Sequence, residues 1–171
     1  NKIPVFHDRM LAEFPTGNGA LNRELSRIIG YFGDKRVALV MEEYLANHSD
    51  SDADKLQVLL NLKPIADSFN DQQQMAAITF LESIKNQATD NESNYGIFLN
   101  EILTVWAANI SDSQVATILS NGAEWPSAAL AAFYKLPNQL SEEQVASISE
   151  IDRKLKGRTD ATSRQTRIGC L

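Results

Sequence analysis

Apolar residues recur at three- and four-residue spacing along almost the whole chain, interrupted by polar capping residues every ~15–20 positions. That period belongs to helices with one buried face, and the strict alternation that a half-buried strand needs is absent. Leu21, Leu25, Ile28, Ile29 and Phe32 mark one face of a first clear helix. Gly33 follows where a left-handed C-terminal residue is wanted. Asp34 caps a second helix whose inner stripe is Val37, Val40, Met41, Tyr44 and Leu45. So short a Gly-Asp link predicts that the two are antiparallel neighbours.

A third helix carries Leu56, Leu59, Leu60 and Leu62 and should stop near Leu62, because the residue before Pro64 avoids the α region. Asn70 caps the fourth, with Gln73 placed to bond back and Ala77, Phe80, Leu81 and Ile84 as its stripe. The segment Asn86 to Asn94 reads as a loop, and Tyr95, Leu99, Ile102 and Trp106 mark a fifth helix. Ser111-Asp112-Ser113-Gln114-Val115-Ala116-Thr117-Ile118 then recurs as Ser141-Glu142-Glu143-Gln144-Val145-Ala146-Ser147-Ile148, each with a Ser–Gln capping box. Between them Pro126 opens a helix with Leu130, Phe133 and Leu136 inside. Gly157 ends the helix after Ser141, and a last one opens near Thr162.

Nine or so amphipathic helices on short turns predict an all-α chain, read as one helical-repeat domain over residues 1–171. The imperfect repeats favour a HEAT-like stack of antiparallel helix pairs, an α-solenoid; an irregular helical bundle is the alternative. With 43% hydrophobic residues the chain can fill a core, and 8 Gly and 5 Pro are too few for a loop-rich sandwich. The abrupt start at Asn1 and the end at Cys170-Leu171, within a helical pattern, lead to the expectation of a piece of a longer chain. Its segment from about Thr159 would then be frayed or packed on another molecule. The single Cys170 leaves no internal disulfide and does not fix the compartment.

Charge narrows the partners. A net charge of −6 argues against a nucleic-acid surface, which needs clustered Lys and Arg to displace phosphate counterions. No apolar run reaches the length of a membrane span. The end of the chain is nevertheless basic: Arg153, Lys154, Lys156, Arg158, Arg164 and Arg167 face one acid, Asp160, for a local charge of +5. The preceding residues carry the remaining −11. The basic end suits solvent, the acidic body of its own protein or an acidic partner; for a partner, Arg158, Arg164 and Arg167 are the candidate contacts, and Trp125, otherwise a staple of the helix start at Pro126, is the candidate aromatic contact.

Catalytic and metal chemistry lack their residues. Asp50-Ser51-Asp52-Ala53-Asp54 copies the first three ligand positions of a calcium loop. The sixth and twelfth positions, however, are Lys55 and Asn61 instead of the Gly and bidentate Glu that close such a loop. The run is better suited to capping a helix and complementing its positive end. His7, His48 and Cys170 are too scattered for zinc. There is no Gly-x-Ser-x-Gly elbow, no Cys beside a His and no phosphate-cradling glycine loop. His48 lies among acids but in a linker, and Glu42-Glu43 and Glu142-Glu143 fall on polar helix faces. The residues therefore predict no catalytic, metal-binding or cofactor-binding site.

Three stretches carry a family likeness: Phe14-Pro15-Thr16-Gly17 with Leu21-Asn22-Arg23-Glu24-Leu25; Lys55-Leu56-Gln57 through Leu62-Lys63 to Gln72-Gln73-Gln74; and Leu155-Lys156-Gly157-Arg158-Thr159-Asp160 with Arg164-Gln165-Thr166-Arg167-Ile168-Gly169. Their order resembles the HEAT-like helical region of large extracytoplasmic bacterial membrane-bound dehydrogenases that carry a haem-binding domain. In that family a β-propeller precedes the helical region and a c-type cytochrome module follows it. Where the family tends to have Gly-Trp after Pro64, this chain has Asp67-Ser68-Phe69. The resemblance implies a non-catalytic spacer or scaffold, periplasmic, whose partners are the neighbouring domains of a redox protein. The alternative is a stand-alone adaptor, extracytoplasmic or cytoplasmic, that binds a protein or peptide. An enzyme with an unfamiliar site ranks third, and a pocket with convergent polar groups would favour it.

Overall fold

The computed structural model describes the backbone over residues 3–87, 94–108 and 110–171, and side chains over 5–85, 98–108 and 110–171. Those residues form ten α-helices and no strand. The helices are α1 (Ile3–Glu13), α2 (Gly19–Phe32), α3 (Ala38–Asn47), α4 (Asp52–Leu62), α5 (Asp71–Gln87), α6 (Asn94–Ala107), α7 (Asp112–Ser120), α8 (Pro126–Phe133), α9 (Glu142–Leu155) and α10 (Ala161–Gly169). Short 3₁₀ turns, Lys35–Val37 and Lys63–Ser68, precede α3 and follow α4. No described helix is long and apolar enough to cross a membrane. The chain divides into two compact units, Asn1–Phe80 and Leu81–Leu171, and α5 contributes to each. Most of the expected loop after Asn86, residues 88–93, lies outside the described residues.

In the first unit the caps stand where the sequence places them. Gly33 ends α2 with φ 68°, and its amide donates to the Gly30 carbonyl at 3.1 Å. Asn70 and Gln73 bond each other's backbone at the start of α5, both at 2.9 Å. The main neighbour differs from expectation, because α2 packs chiefly on α4 rather than on α3. Its buried face is also rotated: Asn22, Leu25, Ser26, Ile29 and Gly30 point inward, whereas Leu21 and Phe32 remain 48% and 47% exposed. Small and polar residues win that face because the two backbones nearly touch. A Cβ on Gly30 would overlap the Asn61 carbonyl oxygen. The Asn61 amide in turn donates to the Arg23 carbonyl and the Ser26 hydroxyl, both at 2.9 Å. Helix α1, which the periodicity did not single out, packs on α2.

The acidic run has a structural role in this unit. Ser51 caps α4 through the Asp54 amide at 3.2 Å. The buried Asp50 carboxylate accepts from the Tyr44 hydroxyl at 2.8 Å and the Asn22 amide at 2.7 Å. Asp54 pairs with Arg23 at 3.2 Å. Gly19, the first residue of α2, lies directly against the Asp50 and Asp54 carboxylates, so the same acids complement the positive end of a second helix. Burial, aided by the bond to Asp50, pushes the Tyr44 hydroxyl above its ordinary pKa.

In the second unit both Ser–Gln capping boxes are formed, at Ser111–Gln114 and Ser141–Gln144. Asp160 caps α10 by accepting from the Ser163 amide at 2.8 Å. Leu99, Ile102 and Trp106 of α6 are buried, with Trp106 only 1% exposed. On α8 the expected inner residues Leu130 and Phe133 are only partly covered, and the fully buried face is Ala128, Ala129 and Ala132. Small side chains let α8 sit in the middle of the unit, where it touches α6, α7 and α10. Helix α9 touches α7 and α10. The inner face of α10 is also small and polar: Thr162, Ser163 and Thr166 are buried, whereas Ile168 is 70% exposed.

Candidate functional site

Two charged side chains occupy stripe positions of α5 in the second unit. Ile78, Leu81, Glu82 and Lys85 share one helical face, and Glu82 is fully buried while Lys85 is 2% exposed. Each has a definite task. Helix α8 begins at Pro126 behind Trp125, whose side chain makes no capping bond. The missing acceptor comes from α5: Glu82 Oε1 accepts from the Ala128 amide at 2.6 Å. Lys85 Nζ donates to Asn100 Oδ1 of α6 and to Ser127 Oγ of α8. Burial pushes the Glu82 carboxyl up to about 7, against the pull of the Ala128 amide and of Lys85. Burial also lowers Lys85, with the Glu82 and Asp160 charges opposing.

Above this network lies a cavity of about 410 Å³ between α6, α8 and α10. Asn100, Ser127 and Thr162 form its polar side. Leu103, Leu130 and Ala131 form its apolar wall, and Lys135 and Gln165 also line it. Lysine against serine can act as base and nucleophile when the amine is neutral. Here Ser127 Oγ is also 3.3 Å from Asn100 Oδ1, and the backbone amide that a developing oxyanion would need, Ala128 N–H, is held by Glu82. That amide is therefore already occupied as the cap of α8.

The residues singled out from sequence lie nearby but outside the cavity. Trp125 is half-buried at the start of α8. Thr166 Oγ1 donates to the Pro126 carbonyl at 2.7 Å, which brings the helix carrying Arg164 and Arg167 to that end of α8. Arg167 is paired with Asp152 of α9 at 2.7 Å, and Arg158 and Arg164 are exposed. Among the described residues no group of three or more His, Cys, Asp or Glu is placed to hold a metal ion. The one available sequence signal for Glu82 and Lys85 was their position on the stripe of Ile78 and Leu81. Nothing local marked Asn100 or Ser127, which meet Lys85 only through packing. No family model, curated protein or solved structure matches this chain.

Proposed function

We propose that the chain is a helical-repeat scaffold, a HEAT-like stack that serves as a non-catalytic spacer in a larger extracytoplasmic redox protein. The observation that supports it is the neighbour pattern of the second unit. Helix α8 contacts α6 and α10, α9 contacts α7, and the chain neighbours α7–α8 and α9–α10 also touch. Alternate helices side by side, with consecutive helices paired, is the packing expected of stacked αα-hairpins. The first unit has a comparable alternate pair in α2 and α4. The family resemblance adds the flanking propeller and cytochrome as partners. An antibody raised against this segment provides the test on periplasmic and membrane fractions. The expected result is a band far above 19.0 kDa that also stains for covalent haem. A haem-free band near 19.0 kDa would overturn the spacer reading.

A stand-alone adaptor is the second reading, and the surface of the first unit favours it. Tyr31 is 84% exposed beside Phe32, and Val5 and Phe6 are also open. Clustered aromatic and aliphatic exposure of this kind is typical of protein-contact surfaces.

A further inference from the structure

The cavity between α6, α8 and α10 has a polarity that its structural role does not explain. Lys85 is a pure donor, so the Asn100 oxygen must face it, and the amide orientation follows from the network. That leaves the two Asn100 Nδ2 hydrogens without a protein acceptor among the described residues, on a residue that lines the cavity. Thr162 Oγ1 on α10 is likewise without a partner there. Gln165 and Lys135 add further donors, and the described lining residues include no carboxylate. Of the two buried charges behind the floor, Lys85 contacts the lining residues, whereas Glu82 turns to the Ala128 amide. Leu103, Leu130 and Ala131 supply apolar lining beside these donors. At about 410 Å³ the space falls within the range of small-ligand sites.

We propose that this cavity binds a small carboxylate with an apolar body, its head on the Asn100 amide and Thr162 hydroxyl and its body against Leu103, Leu130 and Ala131. Donors and nearby ammonium groups select an anion over a neutral head, because a charge-assisted hydrogen bond is stronger than a neutral one. Lys135, exposed beside the cavity, supplies attraction without being needed for folding.

Octanoate, octanamide and octanol are the probes, titrated by calorimetry into the intact chain. Octanoate should saturate with a Kd of about 10⁻⁴ M, and octanol should bind at least about tenfold more weakly. Lys135→Glu should weaken octanoate about three- to tenfold. Ala131→Phe should abolish binding by filling the cavity, with the thermal midpoint as the check on folding. Ala108→Trp, at an exposed lining position, gives the same test if Ala131→Phe fails to fold. Octanol binding as tightly as octanoate, octanoate binding unaffected by the cavity-filling variant that folds, or no saturation below about 10 mM would each overturn the proposal. The outcome does not depend on the scaffold reading, since the ligand site and the mass of the native protein are read separately.

Discussion

Glu82 and Ala128 are 46 residues apart in sequence, yet the carboxylate of one accepts from the backbone amide of the other at 2.6 Å. An N-terminal cap normally comes from the residue next to the helix, but Trp125 cannot act as an acceptor there. Helix α8 is therefore capped by α5. The cost of burying Glu82 is offset by that bond and by Lys85, which itself is held by Asn100 and Ser127.

Removing the carboxylate should be expensive. Glu82→Ala leaves the Ala128 amide unsatisfied and Lys85 without its counter-charge, for an expected loss of about 3–5 kcal/mol in chemical denaturation. Adding Lys85→Met should recover at least about 1 kcal/mol, because the two residues act as one unit. Strict additivity of the two substitutions would show that they are energetically independent.

The same pair gives a pH signature. The carboxyl of Glu82 titrates at about 7 when folded and at the ordinary 4.5 when unfolded, so the folded state holds its proton more tightly across that window. Stability should therefore fall as pH rises from about 5 to 7.5, by about 1–3 kcal/mol. Asp34 and Asp160 shift the other way, so their stabilisation is present above the unfolded carboxylate range and is lost only at more acidic pH. Denaturation midpoints of the wild type and Glu82→Gln provide the comparison, and the variant should lose the slope between pH 5 and 7.5.

The two tryptophans should separate cleanly. Trp106 is 1% exposed in the core of the second unit, and Trp106→Ala should open a cavity costing about 3–5 kcal/mol. Trp125 is half-buried at the start of α8, and Trp125→Ala should cost clearly less. Equal shifts of the denaturant midpoint would place Trp125 in the core as well.

Contact between α2 and α4 predicts a glycine asymmetry. Gly30→Ala drives a methyl group into the Asn61 carbonyl and should destabilise by about 1–3 kcal/mol. Gly17 has nothing within 4 Å of an added Cβ, so Gly17→Ala should change stability by less than about 0.5 kcal/mol. Thermal midpoints of the two variants check this directly.

The local rules were legible in the residues. Helix starts at Ser51, Asn70, Ser111 and Ser141, and the left-handed stop at Gly33, follow from chemistry within one turn of the chain. The sequence alone also determined the helical class and the burial of Leu99, Ile102 and Trp106, because period 3.6 and the apolar stripe are properties of a segment. Tertiary structure decided which face of each helix points inward when two faces compete. On α2, Gly30 and Ser26 are buried while Leu21 and Phe32 stay open, because the backbone approach at the Asn61 carbonyl leaves room only for small side chains there, and on α8 the alanines are buried while Leu130 and Phe133 are only partly covered. It also decided where the buried charges go. Locally, Glu82 and Lys85 show only that they lie on the stripe of Ile78 and Leu81, and the arrival of α6 and α8 turns them into a cap and a network beside a cavity. The partners of a buried charge lie tens of residues away, and spacing along one helix carries no record of them.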